Sequence, residues 1–203
     1  MPTPPGPLTL AFASAEAWDR WLTAYHAASP GLWLKLAKKA SGLASVDYAG
    51  ALEVALTWGW IDGQKAPLDE VHWLQRFTPR RARSLWSKVN REKVAALEKA
   101  GRMKPPGRAA VAAAKRDGRW AQAYDSPSRA TVPPDLARAL AREPRANTRF
   151  RALDATNRYA ILYRVHTAKK AETRARRIEI LVAMLARGET LHPPRKKAAK
   201  RRR

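Results

Sequence analysis

The sequence has no cysteine, no long apolar run and, beyond residue 78, few acidic side chains. Zero cysteine excludes disulfides and thiolate metal sites and fits a reducing cytoplasm. No window approaches the roughly 18 uninterrupted apolar residues of a membrane span. The opening Met1-Pro2-Thr3-Pro4-Pro5-Gly6-Pro7 lacks the basic-then-apolar order of a signal peptide. Neither G-x-G-x-x-G nor G-x-x-x-x-G-K-[ST] occurs, so a glycine cradle for nucleotide phosphates has no support, and no G-x-S-x-G elbow is present. The four histidines (His26, His72, His166, His192) lack a His neighbour at i+3 or i+4, which gives no metal-ligand spacing. A triad can be drawn from Asp62, His72 and Ser84 or Ser87, but any chain with four His offers one. No cofactor and no metal are expected, and no catalytic residue is assigned.

What is present is positive charge: 40 Lys and Arg against 17 Asp and Glu, a net of +23. It is unevenly placed. Residues 1–78 hold 6 basic against 7 acidic residues, whereas 79–203 hold 34 against 10. The last nine residues contribute seven of those positives. A field of this kind attracts polyanions, of which nucleic acid is the commonest in a cytoplasm.

With 203 residues, 45% of them apolar, the chain can bury a real core. Ser14 caps a helix to about Ala28, with Trp18, Trp21, Leu22 and Tyr25 on one stripe. Leu32 to Lys38 alternates as a strand, three Leu on one face and Lys35 on the other. Ser45 is expected to cap a second helix to about Trp58, with Gly59 at its left-handed end. Trp60–Lys65 and Val71–Phe77 read as antiparallel strands. Helices follow from Ser84 or Ser87 to Gly101, from Pro105 to Gly118, then from Pro134, Pro144, Asp154 and about Lys170. The expected class is α+β: N-terminal helices on a small antiparallel sheet over 11–125, then an all-helical unit over 131–190. A Pro-rich lead (1–10) and a basic tail (191–203) are expected to be disordered.

Residues 58–90 combine features that seldom share so short a span: four Trp, an Asp between Ile and Gly, and a run of Arg. Arg76, Arg80, Arg81, Arg83, Lys88 and Arg91 sit at the exit of the last strand and the first turns of a helix. Cations are unfavourable at a helix N-terminus unless something anionic compensates, which points to a phosphate or carboxylate nearby. Arg102 and Lys104 lie in a Gly-flanked basic connector ahead of another helix N-terminus. Lys169, Lys170, Arg174 and Arg177 make a further cluster, in which Arg174 shares a stripe with Ile178 and is expected to pair with an acid such as Asp62. Trp60, Asp62, Thr78, Ser84, Trp86, Ser87 and Asn90 are the residues from which a pocket would be built.

Gly59-Trp60-Ile61-Asp62-Gly63, Arg76-Phe77-Thr78-Pro79-Arg80-Arg81, Ser84-Leu85-Trp86-Ser87, Gly101-Arg102-Met103 and Gly118-Arg119-Trp120 resemble the YdeI/OmpD-associated, or bacteriocin-protection, family. Val132 to Leu136 and Glu172 to Ile178 are similar to that family's C-terminal unit, so the resemblance runs from about 12 to 190. It implies a YjbR/CyaY-like α+β fold for the first part and a role in protection against toxic peptides or envelope stress. It brings no agreed reaction and no catalytic residues.

The expectation is a non-enzymatic, cytoplasmic, basic stress-protection protein. Its partner is nucleic acid or another polyanion, held through phosphates. One alternative is an anionic small molecule, with or without catalysis, in a site around Trp60, Asp62, Arg80 and Asn90. The other is a basic module for an acidic protein or an anionic membrane surface.

Overall fold

The computed structural model describes residues 8–193, and the chain divides after Ala123 into two compact units. The expectations for 1–7 and 194–203 lie outside the described residues.

In the first unit, β1 (Thr9–Ala11) precedes α1 (Ala15–Tyr25) and β2 (Leu32–Ala37). β1 runs parallel to β2, pairing Thr9 with Trp33 and Ala11 with Lys35. Two expectations are corrected here: residues 8–10 belong to the fold, and the sheet is mixed. β2 alternates as expected, with Leu32, Leu34 and Leu36 buried and Trp33 and Lys35 half-buried on the other face. Ser14 caps α1 by accepting the Ala17 N–H at 3.3 Å. Trp18 and Leu22 enter the core, Trp21 is half-buried, and Tyr25, expected on the same stripe, is exposed.

The cap of α2 (Tyr48–Thr57) is Asp47, whose Oδ1 accepts the Gly50 N–H at 2.7 Å. Ser45, the expected cap, instead accepts the Ala37 N–H at 3.2 Å. Ala51, Leu52, Val54, Ala55, Leu56 and Thr57 are all buried, so this helix lies inside the core rather than on its edge. Gly59 follows with φ +73°, a backbone state that a side chain resists. β3 (Trp60–Pro67) and β4 (His72–Pro79) then pair antiparallel, and the sheet order is β1-β2-β4-β3. The pairing is irregular between Asp62 and Lys65. Buried Gln75 answers that irregularity, its Nε2 donating to the carbonyls of Gly63 and Gln64 at 2.9 and 3.1 Å.

Two helices complete this unit: α3 (Lys88–Lys99), capped by Ser87, and α4 (Pro105–Arg116). At Gly107 α4 approaches α2 so closely that a Cβ would stand 2.1 Å from the Thr57 carbonyl oxygen. Only glycine fits there.

The second unit holds α5 (Pro134–Ala141), α6 (Pro144–Arg151), α7 (Ala155–His166) and α8 (Ala171–Ala186). Proline opens α5 and α6, where a missing N–H costs nothing. Leu136, Leu140, Phe150, Ile161, Val165 and Leu181 form its core. Buried Asn157 accepts the His192 N–H at 2.9 Å and donates to its carbonyl at 3.2 Å. Residues 191–193 are therefore tied to α7, not part of a disordered tail.

Candidate functional sites

The Arg- and Trp-rich segment after β4 is built by stacking. Arg80 leaves the strand with its N–H on the Gly59 carbonyl at 3.0 Å. Its guanidinium carbon lies 3.4 Å from the centre of the Trp86 ring, and Nη1 donates to the Leu85 carbonyl at 3.0 Å. Trp86 is 1% exposed and meets Trp120 edge-on at 4.8 Å. Arg91 and Lys115 each place their charge 5.3 Å from the Trp120 ring. Arg119, 7% exposed, holds the Asp117 carboxylate and donates to the Ser84 carbonyl at 2.9 Å. The negative faces of two indoles thus accommodate cations near a helix N-terminus. Arg80 and Arg91 thus have aromatic partners in the fold itself.

The hydroxyls have structural duties. Ser84 Oγ accepts the Arg81 N–H at 2.9 Å, and Ser87 Oγ accepts the Asn90 N–H at 3.1 Å. Asn90 is buried beside them in the first turn of α3. His72 bonds Asp69 at 3.0 Å, whereas Asp62 accepts the Tyr48 hydroxyl at 2.8 Å, so the drawn triad is not assembled. Trp60, 1% exposed, is core: it meets Trp18 and Trp21 edge-on and donates to the His26 carbonyl at 3.3 Å. Thr78 faces Ile61 across the hairpin. Arg76 is half-buried opposite Trp33, 6.0 Å from that ring. Its Nη1 is buried without a hydrogen-bond partner among the described residues, and burial pulls its pKa below the ordinary guanidinium value.

The basic connector is also structural. Pro105 and Pro106 remove two of the N–H groups that a helix N-terminus would offer an anion. Lys104 gives its N–H to the Thr57 carbonyl at 3.1 Å and carries its ammonium 5.7 Å from the Trp58 ring. Arg102 pairs with Glu53. A cleft of about 370 Å³ beside this connector mixes signs, with Glu16, Asp19 and Arg20 facing Arg102 and Lys104. Arg81, Arg83 and Lys88 are exposed.

In the second unit Arg174 pairs with Asp135, not Asp62, through contacts of 2.5 and 2.9 Å. Its hydrogen bond to Asp135 raises the guanidinium pKa and holds the Asp135 carboxyl below the usual range. Arg174 also donates to the Val165 carbonyl at 2.7 Å, and Arg177 to that of Arg164 at 2.8 Å. Both therefore close the C-terminus of α7, where cations are favoured. Lys169 and Lys170 remain exposed at the start of α8.

One cavity drew no attention in the sequence. It encloses about 260 Å³ and is lined by Tyr124, Asp125, Tyr159, Tyr163 and His166 over a floor that includes Leu162. Tyr124 and Tyr163 meet at 86° with centres 5.1 Å apart, and Tyr159 lies 6.0 Å from Tyr163. The Tyr159 hydroxyl donates to the Asp125 carbonyl at 2.9 Å, and burial pushes its pKa up to about 12. The legible signal was the i, i+4 spacing of Tyr159 and Tyr163, which puts two rings on one face of α7.

Comparison with known families divides the chain in the same manner. Residues 10–110 match a domain of unknown function, DUF8412. Residues 129–188 match the bacteriocin-protection, YdeI or OmpD-associated family. No curated protein and no solved structure matches the chain. The bacteriocin-protection match spans α5 to α8 and most of the tyrosine cavity, while Tyr124 and Asp125 precede it. Among the described residues no cluster of His, Asp and Glu could hold a metal ion, and no helix is long and apolar enough to cross a membrane.

Proposed function

We propose that this chain is a non-enzymatic protective protein of the bacteriocin-protection type, acting in the cytoplasm, that binds nucleic acid through its phosphates. The observation that carries this is the composition of 79–123, with 13 Lys and Arg against 3 acidic residues. Within it Arg81, Arg83, Lys99 and Arg116 are exposed and have no carboxylate at ion-pair distance among the described residues. Exposed cations of this kind repel each other and are retained at a cost that a polyanion offsets. Lys169 and Lys170 extend the same character into the second unit, as does the basic tail. The reading favours backbone contact over base recognition, because Trp60 and Trp86 are committed to the core. A YjbR/CyaY-like kinship of the first unit belongs to this proposal; its support is the layering of helices on a largely antiparallel sheet.

The test is fluorescence anisotropy of labelled single-stranded and duplex oligonucleotides across a salt series. The plot of log K against log salt should slope steeply downward. Replacing Arg81, Arg83 and Arg116 together by Ala should flatten it by about one unit per lost phosphate contact, largely independent of base sequence. Absence of binding at low ionic strength, or a slope unchanged by the triple substitution, would overturn the proposal. Equal affinity for anionic vesicles would reassign the surface to membranes.

A further inference from the structure

Three helices of the second unit, α5, α6 and α7, border a cavity of about 290 Å³. Its apolar wall is Val132, Leu140 and Phe150, the last two buried in the core of that unit. Its polar wall is Asn147 and Arg151, one turn apart on α6, and Arg158 on α7. No Asp or Glu lines it. The three polar side chains are uncommitted: none makes a hydrogen bond or ion pair with another described residue. Asp154, the i, i+4 neighbour of Arg158, is turned instead to the Asn157 N–H at 2.7 Å and to the Asn157 amide at 3.3 Å. Arg158 lies over Phe150 with its guanidinium carbon 4.9 Å from the ring centre, which steadies the group without using an N–H. No polar side-chain atom of Asn147 or Arg158 is sealed from solvent, so their hydrogen-bonding capacity is open to a ligand.

We propose that this cavity binds a small monocarboxylate with a compact apolar body, its carboxylate held by Arg151 and Arg158 and its body against Val132, Leu140 and Phe150. Charge selects the sign of the ligand, since two guanidinium groups with no carboxylate in the wall repel a cation and attract an anion. The planar guanidinium fork matches the two oxygens of a carboxylate, and the Asn147 amide can donate a further hydrogen bond. The apolar wall selects the body. It gains from burying hydrocarbon and offers nothing to a fully hydrated ion such as inorganic phosphate. A volume of about 290 Å³ is at the small end of ligand pockets, suited to an aryl or branched-chain acid and short for a whole nucleotide.

The site is separate from the nucleic-acid reading, whose test rests on Arg81, Arg83 and Arg116 of the first unit. Replacing those three together by Ala should leave carboxylate binding unchanged. Either reading can therefore fail while the other stands.

The experiment uses the full chain and follows amide resonances by NMR while phenylacetate is added. Two comparison ligands divide the claim: phenylacetamide keeps the body without the charge, and acetate keeps the charge without the ring. Phenylacetate should shift the resonances of Asn147, Arg151 and Arg158 and bind about tenfold more tightly than either comparison ligand. Arg151→Met and Arg158→Met, which keep an unbranched stem and remove the charge, should each lose about the same factor. Circular dichroism of both variants checks that the helices persist. If Arg158→Met, which also loses the stack on Phe150, unfolds, the exposed Arg151→Met carries the contrast. Equal binding of phenylacetamide or acetate, undiminished binding by both Met variants, loss of binding when Arg81, Arg83 and Arg116 are replaced, or no shift at millimolar phenylacetate would each overturn the proposal.

Discussion

The two units hold their basic residues in different ways. All eight tryptophans lie in the first unit, and five of its cations lie over indole rings: Arg76 over Trp33, Arg80 over Trp86, Arg91 and Lys115 over Trp120, and Lys104 over Trp58. The second unit has no tryptophan, and its central arginines end on oxygen: Arg174 on Asp135 and the Val165 carbonyl, Arg177 on the Arg164 carbonyl. The difference is one of local chemistry rather than of net charge: an aromatic face steadies a cation without neutralising it, whereas a carboxylate cancels one charge for each pair.

The same asymmetry gives clean tests, because tryptophan fluorescence reports the first unit alone. The largest effect is expected from Gly107→Ala. The new Cβ has no room against the Thr57 carbonyl, so α4 must lift from α2 at about 3 kcal/mol. The fluorescence midpoint in urea should fall while a helical transition of the second unit persists. A joint fall of both signals would break the view of two separately stabilised units.

A smaller loss, about 2 kcal/mol, is expected from Arg174→Met, which strands Asp135 and the Val165 carbonyl at a pair that is 27% and 34% exposed. Here circular dichroism should change and tryptophan fluorescence should not. The pair also fixes a pH dependence. Because the Asp135 carboxyl is depressed, its contribution is complete above the ordinary value near ~4 and is lost as pH falls through the depressed one. Asp135→Asn should therefore flatten the acid limb of second-unit stability. The smallest effect, about 1 kcal/mol on the fluorescence transition, belongs to Arg80→Lys, which keeps the charge but not the flat stack on Trp86.

Periodicity and caps made most of the fold legible. The Leu32-Leu34-Leu36 alternation, the caps at Ser14, Ser87 and Asp154, and the prolines opening α5 and α6 all lie where local chemistry places them. β1 was not legible, because three residues behind a proline-rich lead carry no pattern and form a strand through pairing with β2. Asp47 displaced Ser45 as cap by a shift of two residues, with both side chains chemically suited. Long-range partners were the least readable. Arg174 was expected to reach Asp62 and instead meets Asp135, because the identity of a basic residue says nothing about which acid the fold brings near. Trp86 reads as a pocket residue and Arg80 as an anion contact; the stack of one on the other is a long-range packing feature that neither residue's local sequence reveals. The tyrosine cavity needed Tyr124, which is 35 residues from Tyr159 and joins it only in the folded unit.

The short strand β1 has a consequence for how the molecule keeps to itself. β2 is flanked by β4 on one side, and on the other its backbone is taken up by Thr9–Ala11 and the Leu8 carbonyl, which accepts the Trp33 N–H at 2.8 Å. Trimming a dozen N-terminal residues would bare an edge of six residues carrying Leu32, Leu34 and Leu36. An open rim of that kind recruits strands from other chains, so this small piece of sheet acts as a guard against self-association.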